Sequence, residues 1–207
     1  MSGLGLANQI TLARAVATLV VWVLLVLGGA APSTTLVIIT FVVFTVAAAT
    51  DFLDGMLARR TATVSVFGRI ADPLVDKMLT IGTLIVVQGQ PAAQAIVPPW
   101  MVAVMLVREL LVTALRAQVE SGGGNFQAAW VGKWKMILQA IAAGAAILAP
   151  WATSWTHVAV PGFDALPGGS ATWNLGHLLA WAALLLTVFS LVPYVRRAAR
   201  ALAPREP

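Results

Sequence analysis

The 207-residue chain has no cysteine, one tyrosine and two histidines. Disulfides, zinc–thiolate sites and thiol nucleophiles are therefore excluded. Charge is scarce too, with 10% charged residues against 59% hydrophobic and a mean hydropathy of +0.88. That balance excludes an ordinary soluble domain. Several apolar runs approach 20 residues, the length that spans a bilayer. In lipid the backbone must satisfy its own hydrogen bonds, which leaves helices or a closed barrel. The runs are continuous rather than alternating, so helices are expected. The first run is too long, and lacks the A-x-A exit, for a cleaved leader, and is expected to remain as a spanning helix.

The expected fold is therefore all-α, a polytopic membrane protein with six transmembrane helices at about 8–29, 35–60, 73–87, 98–118, 131–148 and 172–195. It forms one membrane-embedded catalytic domain over 1–207 with a basic tail from about 196. Pro73 suits a helix first turn and is expected to open the third span. The breaks are the Gly/Ala/Pro/Ser run at 28–33, the glycines at 122–124 and a long loop at 150–171.

The thirteen lysines and arginines are one-sided. Arg59, Arg60, Arg69 and Lys77 surround the second inter-span loop. Arg108, Arg116, Lys133 and Lys135 surround the fourth, and Arg196, Arg197, Arg200 and Arg205 fill the tail. The loops at 29–34, 88–97 and 150–171 carry none. The positive-inside rule then places both termini on the cytoplasmic face, with a bacterial inner (plasma) membrane as the expected setting. Arg14, inside the first apolar run, either snorkels to the surface or reaches into the interior. His157 and His177 fall on the outer side and are expected to be incidental.

Acidic residues are rarest of all. Of eight in the chain, four lie within 51–76: Asp51, Asp54, Asp72 and Asp76. At about 100° per residue, Asp54, Gly55 and Ala58 stand about 60°, 40° and 20° from Asp51 around a helix. Asp72 and Asp76, four apart, share a face of the next helix. Four converging anions without partners would repel. Carboxylate oxygens suit hard cations, and a four-carboxylate set is able to hold two, Mg²⁺ or Mn²⁺, an arrangement used to clamp the oxygens of a phosphoryl displacement. Gly55 and Ala58 leave room for a bulky anion, and Arg59 is placed to pair with a phosphate. These residues alone point to a metal-dependent enzyme acting on a phosphoanhydride or phosphodiester at the membrane face. A divalent-cation transporter would need acids along several spans at midplane depth, and spans one, five and six have none.

The stretch follows D-x2-D-G-x2-A-R-x8-G-x3-D-x3-D at Asp51, Asp54, Gly55, Ala58, Arg59, Gly68, Asp72 and Asp76. This resembles, without a departure, the signature of the CDP-alcohol phosphotransferase family. The resemblance implies that the four aspartates bind two divalent cations. It implies that Gly55, Ala58, Arg59 and Gly68 line the CDP site, and that Asp76 is the general base that deprotonates the acceptor hydroxyl. It also implies a homodimer, and the small-residue run at 142–146 is suited to close helix contact.

The flanking segments TLARA (11–15), FGRIADPLVDK (67–77), VRELLVTALR (107–116) and VGKWKMILQ (131–139) resemble family members that couple CDP-diacylglycerol to glycerol 3-phosphate. The expected substrates are those two, with membrane lipids as surroundings and no nucleic acid. An acceptor bearing its own phosphate needs a basic pocket, for which Arg116, Lys133, Lys135 and the deeper Arg108 are the candidates. Glu109 is placed to orient one of the arginines. Inositol phosphate, or phosphatidylglycerol as in a cardiolipin synthase, stays open as the alternative acceptor.

Overall fold

Helix α1 (Leu6–Gly28) buries Thr11, Arg14, Thr18, Val21 and Leu25, spaced by threes and fours, and turns Leu12, Val16, Leu19, Val23 and Val26 outward. Its interior face is thus the more polar one, the reverse of a helix packed in a water-soluble core. The computed structural model describes residues 6–61, 66–121, 130–151, 157–159 and 172–202, with side chains described over 8–50, 71–119, 121, 134–151, 175–196 and 198–199.

Gly29 closes α1 in the left-handed region, φ 56°, a conformation that costs glycine little, with its N–H donating to the Val26 carbonyl at 3.2 Å. Ser33 then caps α2 (Thr34–Thr61), its Oγ accepting from the Leu36 N–H at 3.3 Å. The expected break between the first two spans is therefore a glycine stop followed by a serine start.

The third segment departs from expectation. Helix α3 (Val66–Lys77) begins well before Pro73, which lies inside it. Proline has no N–H to give to the carbonyl four residues back, yet its fixed φ is helical, so the turn survives with one bond missing. A π-helical turn, Met78–Gly82, follows directly and leads into α4 (Thr83–Val86) and a 3₁₀ turn, Val87–Gly89. The 88–97 connection is not an open loop either, since it holds the short helix α5 (Pro91–Ile96). Helix α6 (Pro99–Ser121) opens at the paired prolines as expected, and α7 (Trp130–Leu148) matches the fifth span.

The last segment also differs. Residues 172–174 are extended: β1 (His157–Ala159) and β2 (Thr172–Asn174) pair antiparallel with Val158 opposite Trp173. Helix α8 (Leu175–Phe189) starts after them, and α9 (Leu191–Leu202) continues beyond Ser190, so the expected basic tail is helical as far as Leu202. Among the described residues the architecture is all-α apart from that ribbon.

Among the described residues two helices, Asn8–Gly28 and Leu175–Arg196, are long and apolar enough to cross a membrane, and Thr34–Thr50 and Trp134–Leu148 are shorter apolar helices. Only 28% and 33% of their apolar 18-residue windows is buried, unlike the mostly buried core helix of a soluble protein. Water would penalise such exposed apolar faces, and lipid would not. Buried threonines follow the same logic. Thr18, Thr40 and Thr187 each return their hydroxyl to the carbonyl one turn back, at 2.8, 2.7 and 2.6 Å.

The core joins α1, α2, α4, α6, α7 and α8 around Leu84, Met101, Met105 and Ile147. The small residues Ala142, Ala143 and Ala146 of α7 are buried inside it, Ala145 is buried as well, and a Cβ added to Gly144 would stand 3.2 Å from the Phe41 ring. The 142–146 run therefore serves packing within the chain, which corrects its expected use between copies. Gly82 is tighter still. Its added Cβ would lie 2.3 Å from Trp22 Cζ2, while Trp22 Nε1 donates to Thr83 Oγ1 at 3.2 Å and fixes the ring. Gly82→Ala is expected to destabilise the protein by about 1–3 kcal/mol, read as a lowered thermal midpoint in detergent. Unchanged stability would mean that the ring moves freely.

Candidate active site

The carboxylate stretch begins on the last turns of α2, whose helix carries Asp51, Asp54, Gly55, Ala58 and Arg59 in the register expected from spacing. Their side chains, and Gly68 at the start of α3, lie outside the described side chains. Asp72 and Asp76 are described, one turn apart on α3. Among the described residues no three acidic, histidine or cysteine side chains cluster, a set from which Asp51 and Asp54 are absent.

Helix α1 supplies the partners of the described pair. Thr11 Oγ1 donates to Asp72 Oδ1 at 2.5 Å, and Arg14 Nη1 donates to Asp76 Oδ1 at 3.2 Å. Arg14 is buried although it sits in an apolar helix, so of the two readings open to it the inward one holds. Its own carbonyl accepts from Thr18 Oγ1. Arg14 is buried while the Asp76 side chain is a quarter exposed, so the pair sits at the edge of the core and holds the carboxylate from its inner side. On the other side Lys77 Nζ donates to Thr113 Oγ1 of α6 at 2.6 Å, which ties the end of the carboxylate helix to α6.

One turn before Thr113 stands a second charged group. Arg108, Glu109 and Lys135 are 5%, 9% and 4% exposed. Glu109 Oε1 accepts both from Arg108 Nη1, at 3.0 Å, and from Lys135 Nζ of α7. Arg108 Nη2 donates to Ser190 Oγ at 2.7 Å, at the junction of α8 and α9, and its guanidinium lies 5.4 Å from the centroid of the Tyr194 ring. Ser190 in turn donates to the Thr187 carbonyl at 2.7 Å, and Gln139 Nε2 donates to Thr187 Oγ1 at 3.2 Å. A polar seam thus crosses from α6 to α7, α8 and α9.

Of the four expected acceptor-phosphate residues, the structure brings Arg108 and Lys135 together, on Glu109. Arg116 lies two turns further along α6, half-buried, with no hydrogen-bond partner for its buried Nε among the described residues. Lys133 is on α7, its side chain outside the described set. Sequence reasoning anticipated that Glu109 would orient an arginine but missed Thr11, Ser190 and Tyr194 as contacts of the charged groups. A signal existed for the first, because Thr11, Arg14 and Thr18 form a polar stripe at helical spacing within an apolar run. For Ser190 and Tyr194 no local pattern pointed inward. His177 is buried at the start of α8 with Nδ1 2.9 Å from the Ala95 carbonyl, a structural contact remote in sequence from the carboxylates.

The chain is similar in sequence to known proteins. A probable phosphatidylglycerophosphate synthase of Mycobacterium tuberculosis is 35% identical over 195 residues, covering 94% of this chain and 82% of that protein. The CDP-diacylglycerol–glycerol-3-phosphate 3-phosphatidyltransferase of Bacillus subtilis is 33% identical over 149 residues, 72% of this chain and 67% of that protein. The like-named protein of Haemophilus influenzae is 29% identical over 161 residues, 76% of each. The family model for CDP-alcohol phosphatidyltransferases matches residues 4–189, which includes the carboxylate stretch and the Arg108–Glu109–Lys135 group, and the chain belongs to that family.

Proposed function

We propose that this protein transfers a phosphatidyl group from CDP-diacylglycerol to the hydroxyl of glycerol 3-phosphate, giving phosphatidylglycerophosphate and CMP. The observation that carries the reading is Asp72 and Asp76, one turn apart and held by Thr11 and Arg14, in a stretch that keeps all eight positions of the family pattern. The names of the relatives in M. tuberculosis and B. subtilis support the same donor and acceptor.

The four aspartates offer only hard oxygen donors, a set that fits Mg²⁺ or Mn²⁺. Asp51, Asp54, Asp72 and Asp76 would hold two such ions, which supply charge neutralisation at the diphosphate of the donor. Gly55, Ala58, Arg59 and Gly68 form the CDP side, the small residues admitting the nucleotide and Arg59 pairing with phosphate. Asp76 takes the proton from the acceptor hydroxyl. The oxygen then attacks the β-phosphorus, the bond to the CMP oxygen breaks, and CMP leaves. Arg14 holds the Asp76 carboxylate in one orientation, so less ordering remains to be done in the transition state. Arg108, Arg116, Lys133 and Lys135 form the acceptor-phosphate side. Six spans, a cytoplasmic site in a bacterial inner membrane and a homodimer complete the proposal, supported by the one-sided lysines and arginines and by the family resemblance.

The test is CMP release from CDP-diacylglycerol with a panel of acceptors. Release with glycerol 3-phosphate in Mg²⁺ or Mn²⁺, abolished by EDTA and restored by either ion, is expected. Silence with every acceptor overturns the reaction. Release with inositol phosphate but not glycerol 3-phosphate overturns the acceptor, and full activity in EDTA overturns the metal assignment.

A further inference from the structure

Among the described residues the buried group on α6 and α7 does not balance. Arg108 and Lys135 carry two positive charges and Glu109 one negative, and all three are more than nine-tenths buried. One oxygen, Glu109 Oε1, takes a hydrogen bond from each cation, so it holds together two charges that would otherwise drive their helices apart. Arg108 is aligned further by Ser190 and by the Tyr194 ring. Even so its buried Nε has no hydrogen-bond partner among the described residues, and neither has the buried Nε of Arg116 two turns along the same helix. An excess buried cation and unused buried N–H donors are both costly unless an anion completes them.

We propose that Glu109 is a positioning residue for the acceptor. It converges Arg108 and Lys135 from two helices and leaves one positive charge unmatched among the described residues, so the group is completed by an acceptor that carries a phosphate. The proposal rests on the reaction assigned above and adds the device that selects a phosphorylated alcohol. Without Glu109 the two cations repel and separate, and the group no longer presents both to one phosphate. With Glu109 the group is assembled before the acceptor arrives. Binding then needs little side-chain ordering.

The experiment measures CMP release by the full-length protein in detergent micelles containing CDP-diacylglycerol, with acceptor and donor varied separately. Glu109→Gln is expected to raise KM for glycerol 3-phosphate by about tenfold or more, while KM for CDP-diacylglycerol stays within about twofold. Ser190→Ala changes no charge and frees one end of Arg108. It is expected to raise the acceptor KM severalfold and leave the donor KM alone, and it decides the matter if Glu109→Gln does not fold. An unchanged acceptor KM in the folded variants, or equal rises for donor and acceptor, overturns the proposal. Wild-type turnover on the acceptor panel is read independently. If a different phosphorylated acceptor is used, the glycerol 3-phosphate assignment fails and the same KM comparison is made on that acceptor. If the acceptor used carries no phosphate, the role of Glu109 falls as well.

Discussion

Asp76→Asn lowers kcat for CMP release by about 10²–10⁴-fold, the range expected when a positioned general base is lost. The substitution is close to isosteric. The amide oxygen still accepts from Arg14 Nη1, which lies 3.2 Å from the carboxylate oxygen it replaces, so the contact between α1 and α3 persists. What disappears is the charge and the capacity to take a proton. Asp51→Asn should behave differently. In the proposed mechanism that residue has no role beyond holding a cation, so its loss falls mainly on binding of the CDP-lipid. Binding of CDP-diacylglycerol, measured by titration in micelles beside CMP release, should therefore be kept better in Asp76→Asn than in Asp51→Asn. Equal loss of binding in the two variants would remove the base assignment from Asp76.

Arg108→Leu is the substitution expected to cost the most stability. Its guanidinium is the crossing point of the buried seam, bonded to Glu109 and Ser190 and stacked on Tyr194. Leucine fills part of the volume but leaves Glu109 with one cation in place of two and bares the face of the Tyr194 ring. Glu109 keeps Lys135 as its partner, but two buried hydrogen bonds of a charged group are lost, at about 1.5–3 kcal/mol each, or about 3–6 kcal/mol together. For a chain of this size that corresponds to a fall of roughly 10 °C in the thermal midpoint, measurable by tryptophan fluorescence in detergent. Arg108→Lys keeps the charge but cannot reach Glu109 and Ser190 together, since the ammonium has no planar fork. It should lie between wild type and Arg108→Leu. A midpoint for Arg108→Leu equal to that of wild type would show that the seam contributes nothing to folding.

Composition and periodicity carried most of the architecture, because lipid leaves the backbone few options. The stops at Gly29 and at the paired prolines before α6 were legible for the same reason, since each residue type forces the local conformation. Pro73 misled, because a proline tolerated inside a helix looks the same in sequence as one that opens it. Residues 172–174 misled too, because three residues of ribbon ahead of an apolar run give no periodic signal. At the site, fixed spacing named the aspartates, since helical geometry turns offsets of three and four into a shared face. The contacts between helices were not legible. That Thr11 meets Asp72, or that Arg108 reaches across 82 residues to Ser190, depends on how helices pack, which no local pattern states.

The π-helical turn at Met78–Gly82 has a further consequence for how this chain tolerates insertions and deletions. A π turn holds one residue more than an α turn, so chain length and rotational phase are uncoupled at that point. Upstream, the phase sets which way Asp72 and Asp76 point. Downstream, it sets Gly82 beneath the Trp22 ring. Deleting one residue of the turn would regularise it to an α-helix and keep the flanking helix nearly in phase, whereas inserting one more would swing the carboxylates by about 100° relative to α4. Thr11 and Arg14 would then face other side chains, while the composition and hydropathy of the segment stayed almost the same. Within these five residues, length matters more than identity.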